Sequence, residues 1–165
     1  MSGHYTLHLS IELAQPVDPQ ADATLRYLVV GDGPAPDAWP AHAFFAMERV
    51  GMELRPLPQV YAASPSGDWV AAYWQDAIGP RAGVTLKLPG LKDLQGWYEA
   101  LVFADWLCAL ASGDGFMGYI QDEQSRSAKS LLCVRGQALY LRDESNASDR
   151  WFCLRTGEPL APLPL

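Results

Sequence analysis

His42, Asp105 and Tyr119 are the side chains in this chain best suited, by type and setting, to moving a proton. His42 stands beside Phe44 and Phe45, where it reads first as a capped or partly buried imidazole and, if a carboxylate orients it, as a general base. Asp105 lies in the run Val102-Phe103-Ala104-Asp105-Trp106-Leu107-Cys108, and a carboxyl surrounded this densely by apolar neighbours must find donors or give up its charge. Two readings follow. In one, Trp97, Trp106 and Tyr119 wall a pocket around His42 and Asp105, and the chain binds a small ligand or acts as an enzyme. In the other, an arginine, tryptophan or tyrosine donor holds Asp105 and the pair fixes a helix onto a sheet. The apolar density around Asp105 favours the second.

The remaining candidates carry less chemistry. His4 and His8 would lie on the same side of a strand but about 13 Å apart at its usual rise, too far to share one metal ion. Asp114, Asp122 and Glu123 could offer oxygen ligands to a hard cation, yet they lack calcium-loop spacing and read better as a solvated strand end. Gly115-Phe116-Met117-Gly118-Tyr119 leads into a strand rather than a helix N-terminus, and Gly31-Asp32-Gly33 runs into prolines, so neither is a nucleotide loop. Ser64, Ser66 and the serines from Ser125 to Ser130 sit outside any Gly-x-Ser-x-Gly elbow. Cys108, Cys133 and Cys153 are odd in number and widely spaced, the pattern of thiols in a reducing compartment. No catalytic set, metal site or cofactor is expected from these residues. Asn146-Ala147-Ser148 matches a glycosylation sequon, which has no use in a cytoplasmic protein.

Charge narrows the partners. A net charge of -7 and a pI near 4.8 repel phosphate backbones, which sets nucleic acid aside and suits a basic protein. Six tryptophans and seven tyrosines exceed what a small core needs, so Trp39, Trp69 and Trp74, near loops or on strands, are candidate anchors for a partner. The first ten residues show no secretory signal, and Lys92, Asp93, Glu99 and Asp105 interrupt the most apolar segment, so neither export nor a membrane span is expected.

These residues need elements to position them. Tyr5, Leu7, Leu9, Ile11 and Leu13 alternate with polar residues as one buried strand face. Asp18-Pro19 reads as the N-cap and first residue of a helix that Gly31 ends. The run 31–40 is a surface connection, 41–50 a short helix, and Leu57–Tyr61 a proline-limited edge strand. Strands at 68–74 and 83–88 should pair antiparallel across the loop 76–82. The stretch 91–110 predicts one long helix, apolar on more than one side, which the shorter helix, the loops or a second subunit must cover. Strands near 116–121, 131–134, 138–142 and 151–154 follow, with a turn at 135–137. The Pro-rich tail 158–165 would lie extended over the surface or fray.

The chain resembles a loose group of uncharacterised bacterial proteins. Over roughly residues 5 to 123 it shares their order of features: the alternating strand, His42-Ala43-Phe44-Phe45, Val84-Thr85-Leu86-Lys87, the helix with Asp105-Trp106, and Gly115-Phe116-Met117-Gly118-Tyr119 with Glu123. The resemblance implies a bacterial cytoplasmic α+β domain and no particular activity.

A single α+β domain over residues 1–165 is therefore expected: a mostly antiparallel sheet with one long buried helix and one or two shorter helices packed on it. Its 49% hydrophobic and 19% charged residues fit a self-sufficient core. The functional expectation is a non-enzymatic binding protein, an inhibitor or immunity-type protein for a basic partner. The pocket around His42, Asp105 and Tyr119 is the alternative, and a homodimer through the apolar helix is a third reading.

Overall fold

The computed structural model describes residues 3–47, 54–62, 68–125, 128–143 and 150–160. Seven strands form one sheet in the order β2-β3-β1-β4-β5-β6-β7, and every adjacent pair is antiparallel. The central strand β1 (His4–Leu13) pairs with β3 (Ala82–Lys92) on one side and β4 (Gly115–Asp122) on the other. Beyond β3 lies β2 (Val70–Gln75). Beyond β4 come β5 (Ala128–Arg135), β6 (Ala138–Asp143) and the two-residue β7 (Phe152–Cys153). From β3 onward each new strand pairs with one already in place, whereas β2, reached by the long connection after Leu13, waits for β3 to join it to β1.

Local sequence explains most element ends. Helix α1 (Pro19–Leu25) starts where the Asp18 carboxylate accepts the Gln20 and Ala21 amides, both at 3.1 Å, with Pro19 in the first turn where no amide is needed. It runs on as a π-helical turn, Arg26–Val30, and Gly31 closes it at φ 74, a conformation a Cβ would oppose. The two-residue loop Gly136-Gln137 turns β5 into β6 with both φ positive, the hairpin geometry that matches strand twist.

Two expected elements differ. Leu57–Tyr61 is a short helix, α3, not an edge strand: Pro56 and Pro58 fall before and inside its first turn, where proline costs no hydrogen bond. Strand β3 runs to Lys92, so Leu91 and Lys92 pair with Tyr5 and His4, and helix α4 begins only at Asp93. A bulge makes the extension feasible. Pro89 and Gly90 together oppose Thr6, and Gly90 takes φ 72. The short helix expected over 41–50 is α2 (Ala43–Ala46), and 48–50 lie outside the described residues. So do Ser64, Ser66, the sequon at 146–148 and the tail from 161 onward. Residues 158–160 are docked: Pro159 bridges Phe152, and the Leu160 amide donates to the Trp151 carbonyl.

One face of the sheet is covered. Leu7, Leu9, Ile11 and Leu13 of β1, Val84 and Leu86 of β3, Ile120, Leu132 and Leu139 meet Leu25 and Val29 of the first helical unit and the buried part of α4 (Asp93–Ala109). Among the described side chains of α4 the buried ones run from Ala100 to Cys108, whereas Tyr98 is 53% exposed, so α4 is not buried along its length. The apolar breadth of α4 is accounted for within the chain. Phe44 packs on Phe103 at 4.9 Å, Phe45 meets Trp106 edge-on at 4.9 Å, and Trp39 stacks on Phe45 at 5.5 Å. No helix among the described residues is long and apolar enough to cross a membrane.

Candidate functional site

The polar group at the heart of the covered side is Asp105, 2% exposed on α4. Three segments far apart in sequence reach it. Its Oδ1 accepts the Leu139 amide of β6 at 2.9 Å, while its Oδ2 accepts Arg155 Nε at 2.6 Å and His42 Nε2 at 2.9 Å. The other ring nitrogen of His42, Nδ1, accepts the Phe44 amide at 3.1 Å and so caps α2. This fixes the tautomer: Nδ1 is the acceptor and Nε2 carries the hydrogen given to Asp105. Neither nitrogen is left to take a proton from a substrate. The carboxylate is held by charge-assisted bonds from a guanidinium and by a backbone amide, which is how a buried charge is made tolerable. Asp105 thus ties α2, β6 and the segment after β7 to α4.

The five residues expected to share a pocket do not. His42, Asp105 and Trp106 are neighbours, but the space among them is filled by Phe44, Phe45 and Phe103. Trp97 is farther up α4, stacked on Tyr5 at 5.7 Å. Tyr119 lies on the opposite face of the sheet, because it pairs with His8 while its neighbour Ile120 pairs with Leu7. Of the expected anchors, Trp39 is packed between Tyr27 and Phe45, Trp69 stacks on Tyr61 at 5.9 Å, and Trp74 lies over Gly83. Asp114 and Asp122 stand at opposite ends of β4, so that acidic cluster divides.

The opposite face of the sheet is a different surface. It carries Thr6, His8 and Ser10 of β1, Thr85 and Lys87 of β3, Tyr119 and Gln121 of β4, and no described helix packs over it. His8 and Tyr119 stack at 4.7 Å with their planes 19° apart. Beside them a cleft of about 300 Å³ is lined by Thr6, His8, Lys87, Pro89 and Gln121 and by the acidic residues Asp68, Asp122 and Glu123. Lys87 pairs with Asp68 at 2.7 Å. Glu123 Oε1 accepts the Thr6 hydroxyl at 2.9 Å and the Gly90 amide at 2.7 Å, joining the β3 bulge to the end of β4. Burial holds His8 below the ordinary imidazole value, the Lys87 charge adds to this, and Asp68 opposes it. Burial, with the Glu123 charge nearby, pushes the Tyr61 phenol up to about 12, so it stays protonated while donating to the Pro89 carbonyl. The cleft therefore holds three carboxylates against one lysine and a neutral-leaning histidine, which is itself stacked on Tyr119.

Sequence reasoning passed over this site. The alternation of β1 did put His8 on the polar face, but only strand pairing brings Lys87 and Tyr119 beside it. Gly118 is the signal closest to a pointer: a Cβ there would overlap the His8 carbonyl oxygen, so the strands approach closely beneath the ring stack. No protein-family model matches the chain, and no curated protein or solved structure matches it either.

Proposed function

We propose that this chain is a non-enzymatic binding protein that meets a basic protein partner through the open face of its sheet, in the manner of an inhibitor or immunity-type protein, in the cytoplasm of a bacterium. The observation that carries the reading is the contrast in how polar groups are used. On the covered side both nitrogens of His42 and both oxygens of Asp105 are spent on holding segments together. On the open face the His8–Tyr119 stack stands beside a cleft rich in carboxylates, and half-buried Trp74 and Phe116, 66% exposed, lie toward the other end of the same face. Aromatic surface with acidic surroundings suits cationic side chains, which gain from ring faces and carboxylates together. The net charge of -7 would steer such a partner in. Cys108, Cys133 and Cys153 are all unpaired, which supports a reducing compartment.

The test is retention of proteins from a bacterial extract on the immobilised chain, compared with its Tyr119→Lys variant. The expected result is a basic protein held at low salt, released as sodium chloride rises, and not held by the variant. Retention that ignores salt, or that is equal on both, contradicts the reading.

A further inference from the structure

The two edges of the sheet are finished differently. At the β7 edge the chain folds back on itself: the Cys153 amide donates to the Glu158 carbonyl at 2.9 Å, the Leu160 amide to the Trp151 carbonyl at 2.7 Å, and Pro159, which has no amide to offer, bridges Phe152. That edge is closed by the device proteins commonly use against unwanted strand pairing. At the other edge β2, Val70-Ala71-Ala72-Tyr73-Trp74-Gln75, has β3 on one side and no strand on the other. It holds no charge, no proline and no bulge. Among the described residues no backbone hydrogen bond reaches its outer edge.

The apolar surface gathers there too. The large exposed apolar side chains among the described residues are Val30, Val60, Val70, Ile78, Tyr98 and Phe116. Val70 belongs to β2, and Ile78, 98% exposed, to the loop after it. Val30 belongs to the π-helical turn packed on β2, and Val60 to α3, packed on that turn. Carboxylates frame the strand, each with a cation near: Asp68, paired with Lys87 at 2.7 Å, precedes it, Asp76, near Arg81, follows it, and Asp32 follows the π-helical turn, whose Arg26 lies over the Tyr73 ring of β2 at 5.9 Å.

We infer that the outer edge of β2 accepts an extended segment of the basic partner as an eighth, antiparallel or parallel strand of the sheet. The inference rests on the binding function proposed above and adds to the open-face contact a main-chain attachment at the edge of the same sheet. Main-chain hydrogen bonds supply the attachment in such strand addition, and side chains beside the edge set the preference. Here the neutral strand imposes no charge on the added backbone, Val70 and Ile78 offer apolar contact, and the net charge of -7 favours lysine or arginine in the added segment. A second copy of this chain is the less suitable occupant, because two molecules of charge -7 repel and two-fold pairing of β2 would bring their flanking carboxylates together.

The probe is a blocked heptapeptide, Lys-Val-Thr-Val-Thr-Val-Lys, with Lys-Val-Thr-Pro-Thr-Val-Lys as its control, added at millimolar concentration to the full chain. Amide hydrogen exchange is read across Val70–Gln75 by NMR. Slowing of at least about tenfold at alternate β2 amides with the first peptide and not the second is the expected outcome, as fits newly paired strand amides. Binding of the first peptide with β2 exchange unchanged overturns the edge assignment and leaves the basic-partner reading standing. No response to either peptide also overturns it, and the retention experiment above then decides the broader reading separately. A dimer in sedimentation whose β2 amides are already protected without peptide assigns the edge to self-association and overturns the partner strand.

Discussion

Each side of the sheet has a histidine, and the two are used in opposite ways. His42, on the covered side, gives its Nε2 hydrogen to Asp105 and accepts the Phe44 amide on Nδ1, so it works as a clamp between α2 and α4. His8, on the open face, is stacked on Tyr119 and borders a cleft, with Lys87 and Asp68 near enough to bias its charge. An imidazole beside a carboxylate is a catalytic couple only if one nitrogen remains for a substrate. At His42 none does. The same residue type therefore reports cohesion on one face and availability on the other, and the hydrogen-bond inventory tells them apart where residue identity cannot.

The sharpest way to break the contrast is to remove its buried member. Asp105→Ala leaves the Leu139 amide, the Arg155 guanidinium and His42 without their common acceptor, and should cost about 3–5 kcal/mol in denaturant unfolding. Asp105→Asn, which can still accept the Leu139 amide but presents an NH2 group toward two donors, should fall between that variant and the parent. A loss under about 1 kcal/mol in Asp105→Ala would mean the node is not what joins these segments.

Next in size is Gly118→Ala. Its methyl group would overlap the His8 carbonyl and crowd the Leu9 Cα, so β1 and β4 must part, at a cost of about 1–3 kcal/mol in the same experiment. Tyr119→Ala sharpens the comparison from the other side. It removes one ring of an open-face stack and should cost only about 0.5–1.5 kcal/mol of stability, while weakening attachment of the basic partner at least about tenfold. Equal losses of stability in Tyr119→Ala and Asp105→Ala would erase the distinction between the faces.

The smallest effect is a titration. NMR should find the His8 midpoint below 6.5, because burial first and Lys87 second disfavour its charged form, and Lys87→Gln should move the midpoint upward. The sign of the linkage follows. A histidine whose folded value is depressed contributes stability that is complete above 6.5 and is lost as pH falls through the folded value. A midpoint above 6.5 would place Asp68 rather than Lys87 in control of the ring.

Much of the frame was legible in the sequence. The alternation of Tyr5 to Leu13, the cap at Asp18-Pro19 and the stop at Gly31 are local signals, and local signals became the elements they indicate. Leu57–Tyr61 misled because proline was read as a strand limit, when Pro58 sits in the one helical turn that tolerates it. The helix starts after Lys92 rather than at Leu91 because Pro89-Gly90, which looks like a terminator, is a bulge that carries β3 onward. The site was the least legible part. The expected pocket puts Tyr119 on the side of Asp105, but a register shift between Phe116 and Gly118 breaks the alternation of β4, so its facing cannot be counted from either end. Arg155 as a donor to Asp105 was equally hidden, since the two are joined only by tertiary packing.

Side-chain footprinting of the chain with and without the retained basic protein tests the central claim most directly, because it reads both faces in one sample. The account predicts reduced labelling of Tyr119, Phe116 and Trp74 with Phe45 and Trp106 unchanged. Protection of Tyr98 on α4, with the open-face rings labelled as before, would contradict it.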